Sequence, residues 1–279
     1  MIDRKRELRE LLKLSPDEII ERAGSHLIVC ENIDDLHHLF ANDIFNEIKK
    51  NNESKKSTRL ILPIGPTGQY PILVDLISQH NLDLSNCWFF FMDEYSDDDG
   101  FAIPLNHPLS FKRIAKTMLL IPLRERFGLD NSKVIFPDES NIDELASIIQ
   151  DINTCYGGIG IHGHIAFNEP SNNVSLSNPR KVRLNEYTIT LNAIRSHVGG
   201  NLEAFPNYAF TIGMKQILSA KRIRLYCRNE SPYDWANSVL RIALFGEPGD
   251  DYPVTYTQGH PDYTIITDKE TLQSPENLI

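Results

Sequence analysis

A strand, a turn and a helix follow one another in the segment Arg59–Pro71, which reads RLILPIGPTGQYP. The apolar residues from Arg59 to Ile64 are typical of a buried strand, and the spacing of apolar residues from Pro71 to Gln79 predicts a helix. The glycines between them mark a turn. This order is the repeating unit of a parallel α/β sheet, so the segment indicates that fold class.

The same alternation recurs on both sides of this segment. Further strands are predicted at 26–30, 87–92, 134–136, 156–161, 223–227 and 263–267. Helices are predicted at 33–49, 142–152 and 233–245, after an N-terminal helix containing Leu8, Leu11 and Leu12 and a second helix that begins with a capping box at Ser15. We therefore expect one α/β domain over residues 1–279, with 1–25 as a helical extension. Residues 171–200 lack clear periodicity, and we expect them to form a lid.

The charge and the cysteines restrict the class of protein. The 279 residues carry a formal net charge of −10, which disfavours binding to nucleic acid or to an anionic membrane. The four cysteines, Cys30, Cys87, Cys155 and Cys227, lie far apart in or beside apolar runs, as reduced core thiols do. The charged start and the lack of an apolar run long enough to span a bilayer argue against export and insertion. We expect a cytoplasmic protein.

Polar groups directly follow three of the predicted strands, at the sheet edge where ligands bind. One group is the turn Gly65–Gln69, which fits either an anion-binding loop at a helix N-terminus or an ordinary turn. A second is Met92–Tyr95, which follows the apolar run WFFF. Asp93 would emerge there partly desolvated, which raises the basicity of a carboxylate and suits a general base. Alternatively, Asp93 caps the turn into the acidic loop 96–100.

The third polar group lies in the segment Gly158–Pro170, which reads GIGIHGHIAFNEP. Its glycines permit a tight turn and the close approach of a ligand. His162, His164 and Glu169 are the side chains in it that suit proton transfer near neutral pH. A glycine-rich loop with incidental histidines would have a similar sequence, so spacing alone leaves both interpretations open.

A metal site is another use of these histidines. Imidazole is a common zinc ligand, so His162 and His164 could bind zinc together with His107 or His260. A His-x-His pair without a carboxylate at ligand spacing is a weak zinc pattern, however. The histidine spacing therefore disfavours a metal site.

These motifs, in this order, resemble those of the glucosamine-6-phosphate deaminase/isomerase family, which is related to 6-phosphogluconolactonase. The matching segments are 66–71, 92–95, 107–111, 158–170 and 206–214, which read PTGQYP, MDEY, HPLSF, GIGIHGHIAFNEP and PNYAFTIGM. The resemblance implies a three-layer, modified Rossmann-like α/β/α fold with a mostly parallel sheet, and a homo-oligomer. It also implies a reaction on a phosphosugar that needs neither a metal nor another cofactor, in which an amino-sugar phosphate becomes a ketose phosphate with release of ammonia through an enediol-type intermediate.

The resemblance assigns roles to residues at the matching positions. Asp93 is implied as the base that moves the C2 proton, and His164, oriented by Glu169, as the group that opens the sugar ring. His162 is placed in the same site. Contacts with the substrate are implied for Thr67, Gly68, Gln69, Glu94, Gly160 and Arg195.

Three positions depart from the family pattern. His162 stands where the family has a catalytic aspartate, and Pro232 stands where it has a phosphate-binding lysine. Gln69 replaces a glycine of the phosphate loop, so its side chain would fill part of the anion pocket or contact the sugar. Arg195 is the position nearest to the family's phosphate arginine. Other basic residues of the lid could also supply the missing charge, namely Arg180, Lys181 and Arg183.

The departures keep two alternatives open. A sugar-phosphate-binding protein without catalytic activity would account for the replaced aspartate and the missing lysine. A hydrolase resembling 6-phosphogluconolactonase would also contain a Gly-His loop. The ending Asn168–Pro170 and the turn Met92–Tyr95 favour the deaminase/isomerase branch.

Overall fold

The computed structural model describes residues 2–123, 126–230 and 232–278. The strands in these ranges are β1 Leu27–Cys30, β2 Thr58–Leu62, β3 Cys87–Phe91, β4 Asp93–Ser96, β5 Val134–Ile135, β6 Thr154–Gly158, β7 Arg180–Arg183, β8 Tyr208–Thr211, β9 Arg222–Tyr226 and β10 Tyr263–Asp268. Seven of them form one sheet in the order β1-β10-β9-β6-β2-β3-β5. Every neighbouring pair in it is parallel, which confirms the predicted α/β class.

Helices cover both faces of this sheet. They are α1 Arg4–Leu11, α2 Pro16–Ala23, α3 Ile33–Glu53, α4 Gln69–His80, α5 Phe111–Ala115, α6 Ile121–Leu123, α7 Leu145–Ile148, α8 Glu186–Arg195, α9 Met214–Leu218, α10 Ala236–Phe245 and α11 Lys269–Leu272. Leu60 and Leu62 of β2 belong to the apolar cluster that contains α3 and α4, whereas Ile61 belongs to the cluster on the opposite face with α10. Both faces of the sheet are therefore buried, which explains the continuous apolar runs and confirms the three layers.

The order of the strands places one crevice at the middle of the sheet. β2 pairs with β3 on one side and with β6 on the other, so the chain builds the sheet outward from β2 in two directions. In parallel sheets, ligands bind beyond the carboxyl ends of the strands at such a reversal. The segments that follow β2, β3 and β6 meet there.

A second sheet was not predicted from the sequence. It is antiparallel, has the order β4-β8-β7, and begins only one residue after β3 ends. Its strands have four residues each, and β7 carries Arg180, Lys181 and Arg183, so neither length nor apolar alternation identifies them. The segment expected to form a lid, 171–200, contains β7 and α8.

Most predicted helices form, with one clear error. The Ser15 hydroxyl accepts a hydrogen bond from the Glu18 amide, and the Glu18 carboxylate accepts one from the Ser15 amide at 2.8 Å, which is the predicted capping box. The helix predicted at 142–152 is wrong, because only Leu145–Ile148 is α-helical. The Asp138 carboxylate accepts a hydrogen bond from the Ser140 amide and so favours a turn just before it. No described helix combines the length and apolarity needed to span a membrane.

Glu94 joins β4 to the start of α5. Its side chain is 1% exposed, and its carboxylate accepts hydrogen bonds from the Ser110 hydroxyl at 2.9 Å and from the backbone amides of Phe111 and Lys112 at 3.0 and 2.8 Å. The Tyr95 amide also donates to it at 2.9 Å. The carboxylate therefore satisfies donors at a helix N-terminus that would otherwise be buried without partners.

Replacing this carboxylate should destabilise the protein. We expect Glu94→Ala to lower the free energy of unfolding by about 3 kcal/mol, because several buried donors lose their acceptor. Urea denaturation followed by circular dichroism measures the change. Glu21→Ala, at an exposed position of α2, is the matched control and should change the free energy by less than about 0.5 kcal/mol. A Glu94→Ala protein as stable as the unmodified protein would contradict the anchoring role.

Candidate functional site

A cavity of about 390 Å³ lies at the carboxyl edge of the parallel sheet. Its walls come from the ends of four strands, with Pro63–Thr67 after β2, Met92–Asp93 after β3, Gly158–Gly160 at β6 and Arg228 after β9. A further wall is formed by Asn192 and Arg195 of α8. The volume suits a small ligand such as a sugar phosphate.

Asp93 occupies the junction between the two sheets. It is the first residue of β4, lies opposite Thr211 of β8, and is 7% exposed at the cavity wall. Its carboxylate has no hydrogen-bond partner among the described residues. Burial raises the pKa of Asp93 well above its ordinary value, and the adjacent negative charge of Glu94 raises it further. A carboxylate in these surroundings is a stronger base than one in water.

His164 lines the same cavity, on the side formed by the loop after β6. A Cβ atom at position 160 would lie 1.9 Å from Nε2 of His164, so Gly160 leaves the space that the imidazole occupies. Nδ1 of His164 is buried without a hydrogen-bond partner in the described part of the chain. Burial lowers the pKa of His164 to about 3, and the positive charges of His162 and Arg195 also lower it. The imidazole is therefore neutral near pH 7.

The expected hydrogen bond between Glu169 and His164 is absent from the structure. One Glu169 oxygen, Oε2, accepts a hydrogen bond from the amide of Asn185 at 2.5 Å, just before α8 begins. The other oxygen, Oε1, is buried and has no partner within the described ranges. Burial raises the pKa of Glu169, whereas the nearby Thr188 hydroxyl and the Asn185 amide lower it. In this conformation Glu169 fixes the start of α8 and does not orient the histidine.

His162 lies beside the cavity and is not among the residues that line it. Its ring packs edge-on against Tyr187 and Tyr252, with ring centres 4.8 and 5.9 Å apart. Burial lowers its pKa, and the negative charge of Asp251 opposes this effect. Arg4 lies 5.3 Å from the centre of the Tyr252 ring and donates a hydrogen bond to Asp251 at 2.7 Å, so α1 supports this part of the site.

The other two histidines considered for a metal site make local backbone contacts. Nδ1 of His107 accepts a hydrogen bond from the Leu109 amide at 3.2 Å, and Nε2 of His260 lies 2.7 Å from the Ala220 carbonyl. Over residues 2–123, 126–230 and 232–278, no three His, Cys, Asp or Glu side chains are arranged to hold a metal ion. The zinc alternative therefore has no ligand set in this part of the chain.

The turn after β2 presents Thr67 to the cavity and leads into α4. Gly68 precedes the helix, and a Cβ atom there would lie 2.3 Å from the ring of His37. Gln69 neither fills the cavity nor lines it. Its side chain is fully buried and donates a hydrogen bond from Nε2 to the Pro66 carbonyl at 2.7 Å, so it holds the turn together.

Glu94 also does not line the cavity, because its carboxylate is directed to the start of α5. The basic residues of β7 lie elsewhere too. Arg180 donates to Oδ1 of Asn168 at 2.8 Å, Lys181 lies 4.6 Å from the centre of the Tyr208 ring, and Arg183 is exposed. Arg195 does line the cavity and forms an ion pair with Glu230.

Sequence reasoning missed several residues of the cavity wall. Arg228 follows β9 by two residues, so the reasoning that selected Asp93 would have selected it as well. Asn192 and Trp235 also line the cavity, and no motif in the sequence identifies them. Pro232 is exposed in a turn, and Ser231 lies outside the described residues.

The chain is similar to glucosamine-6-phosphate deaminases over most of its length. The chain is 28% identical over 234 residues to a glucosamine-6-phosphate deaminase of Thermoanaerobacter pseudethanolicus, an alignment that covers 80% of this chain and 86% of the relative. It is 31% identical over 214 residues to a glucosamine-6-phosphate deaminase of Streptococcus pneumoniae, with 74% and 83% covered. No protein-family model matches the chain.

Solved structures share the fold of this chain. A monomeric glucosamine-6-phosphate deaminase of the NagB superfamily superimposes with a TM-score of 0.76 at 25% identity, and the match covers 88% of this chain and 98% of that one. A 6-phosphogluconolactonase of Shewanella baltica has a TM-score of 0.63 at 16% identity, with 88% and 97% covered, and shares the fold. The arrangement of the strand ends and the similarity over most of the sequence together show that this chain belongs to the glucosamine-6-phosphate deaminase family.

Proposed function

We propose that this protein converts glucosamine 6-phosphate, or a closely related amino-sugar phosphate, into the ketose phosphate and ammonia. One observation carries the proposal: Asp93 and His164 line one sugar-sized cavity that also contains two arginines. A carboxylate of raised basicity, a neutral imidazole and cations for a phosphate are the groups that this chemistry requires. The relatives named glucosamine-6-phosphate deaminase support the same substrate.

Asp93 acts as the proton-transfer base in this proposal. It takes the proton from C2 of the open-chain sugar and returns a proton to C1 through an enediol-type intermediate. Hydrolysis of the resulting imine at C2 consumes water and releases ammonia. The low exposure of Asp93 and its lack of a hydrogen-bond partner among the described residues keep the carboxylate basic enough for this step.

His164 opens the sugar ring in this proposal. A neutral imidazole has one donor and one acceptor nitrogen, so it can move a proton between the C1 hydroxyl and the ring oxygen. Pairing of Glu169 with His164 when substrate binds is part of the proposal. It is supported by Nδ1 of His164 and Oε1 of Glu169, which are both buried without partners in the described ranges.

The proposal also covers the cellular location and the oligomeric state of the protein. We place it in the cytoplasm because its four cysteines are free and buried thiols. We keep the proposal of a homo-oligomer built from a single domain with a lid at 171–200, although the solved relative is monomeric. Light scattering of the purified protein determines the oligomeric state.

A panel of hexosamine and hexose 6-phosphates tests the function. We expect glucosamine 6-phosphate to yield equal amounts of ammonia and ketose phosphate, each measured by a coupled assay. A ketose without ammonia would indicate an isomerase. Ligand-induced thermal stabilisation without any product would indicate a binding protein and would overturn the proposal. Hydrolysis of a 6-phosphogluconolactone would instead favour the lactonase alternative, which rests on the fold alone.

Removing the charge of Asp93 should lower turnover and raise stability. We expect Asp93→Asn to lower kcat at least about 100-fold, because the base is lost. Because the pKa of Asp93 is raised in the folded protein, the folded state loses stability as the pH rises above the pKa of an unfolded aspartate. Asparagine carries no charge, so the variant should be more stable than the unmodified protein at pH 7. Asp99→Asn, in an exposed loop, is the control for both measurements. Unchanged turnover in Asp93→Asn would refute the assignment.

His164 should make stability depend on pH. The pKa of His164 is about 3 in the folded protein and about 6.5 in the unfolded chain. The stability that the neutral imidazole contributes is therefore fully present above pH 6.5 and is lost as the pH falls from there towards 3. We expect His164→Gln to lose less stability than the unmodified protein between pH 7 and pH 4.5, measured by urea denaturation. His38→Gln, at an exposed position of α3, should keep the original slope. Parallel curves for all three proteins would contradict the pKa assignment.

A further inference from the structure

One end of the cavity holds two guanidinium groups and one carboxylate. Arg195, Arg228 and Glu230 all line it. Nε of Arg195 donates to Oε2 of Glu230, and the Arg195 guanidinium lies 5.1 Å from the centre of the Trp235 ring. An acidic side chain is unexpected here, because the proposed ligand is an anion. Glu230 occupies a guanidinium that a phosphate would otherwise contact.

Arg228 differs from Arg195 in having no ion-pair partner among the described residues. Its only hydrogen bond there runs from Nη1 to the Asn229 carbonyl at 3.0 Å, so most of its five donors have no acceptor within the described ranges. It is partly buried in the cavity wall. A guanidinium with free donors facing a cavity is suited to bidentate contact with a phosphate.

The backbone beside Arg228 is firmly held. Asn229 is 7% exposed, its amide donates to the Thr271 hydroxyl at 2.7 Å, and its side chain accepts a hydrogen bond from the Ala236 amide at 3.0 Å. The positive charge of Arg228 also acts on His37, whose ring packs against Gly68 at the start of α4. Arg228 therefore stands on a firmly held segment of the cavity wall.

We infer that Arg228 anchors the anionic group of the ligand, and that Glu230 weakens binding of that group by competing for Arg195. The inference rests on the proposed phosphosugar ligand. In the ligand-free protein Glu230 neutralises one of the two arginines. An incoming phosphate must displace this carboxylate before it contacts both guanidinium groups. Arg228 thus supplies affinity, and Glu230 limits it.

Inorganic phosphate is the probe for the first experiment. Trp235 fluorescence reports the position of Arg195, and Trp88→Phe removes the other tryptophan. In this background, we expect Arg228→Gln to weaken phosphate binding at least about tenfold and Glu230→Gln to tighten it about three- to tenfold. Arg183→Gln, which removes an exposed arginine outside the cavity, should leave the affinity unchanged. Unaltered affinity in Arg228→Gln, or weaker binding in Glu230→Gln, would overturn the inference.

A double variant tests whether Glu230 acts through Arg195. In an Arg195→Gln background, Glu230→Gln should change phosphate affinity by less than about twofold, since the competition has been removed. A full effect in that background would mean that Glu230 acts on Arg228 or repels the anion directly, and would refute competition for Arg195. Arg228→Lys is the second variant at the anchor. It keeps the positive charge, so it should bind phosphate more tightly than Arg228→Gln does. Equal phosphate affinities of the two variants would contradict the anchoring role of Arg228.

Turnover separates this inference from the proposed function. If glucosamine 6-phosphate is a substrate, Glu230→Gln should lower its KM without changing kcat, because the effect is on binding. If no sugar phosphate reacts, the function fails, yet the phosphate titrations still decide the inference. If turnover occurs but KM and phosphate affinity stay unchanged in both the Arg228 and Glu230 variants, the inference fails and the function stands.

Discussion

The common direction of seven strands is the constraint on which the site depends. Ladders of backbone hydrogen bonds join the strands of the sheet, and helices cover both of its faces, so polar side chains gather where the strands end. Because the strands are parallel, these ends lie at one edge. Asp93, His164, Thr67 and Arg228 come from four separate parts of the chain and share one cavity for this reason.

The sequence was sufficient for the large sheet and for part of the cavity. Apolar runs of three to six residues identified all seven parallel strands to within a few residues, because strands buried on both faces are apolar along most of their length. The same logic of strand ends pointed to Asp93 and to the loop of His164, which the structure brings to one cavity. It applied equally to Arg228, which was overlooked because no motif drew attention to it.

Tertiary contacts determine the features that could not be predicted from the sequence. The Glu94 carboxylate accepts hydrogen bonds from Ser110–Lys112, and no sequence pattern near Glu94 predicts that contact. The Gln69 side chain donates to the Pro66 carbonyl and does not face the cavity. The position of Gln69 in the motif does not predict this rotamer. The small sheet is built from short strands that alternate charged and apolar residues only weakly. Its pairing is set by long-range packing around Tyr95 and Phe205.

The passage from β3 into β4 has an evolutionary consequence. Only Met92 separates a strand of the large sheet from a strand of the small one, so the position of Asp93 is fixed by both ladders at once. A slip of one residue in the pairing of β4 with β8 would turn Asp93 to the opposite face. The spacing across this passage should therefore be preserved, without insertions or deletions, among descendants of the same ancestor.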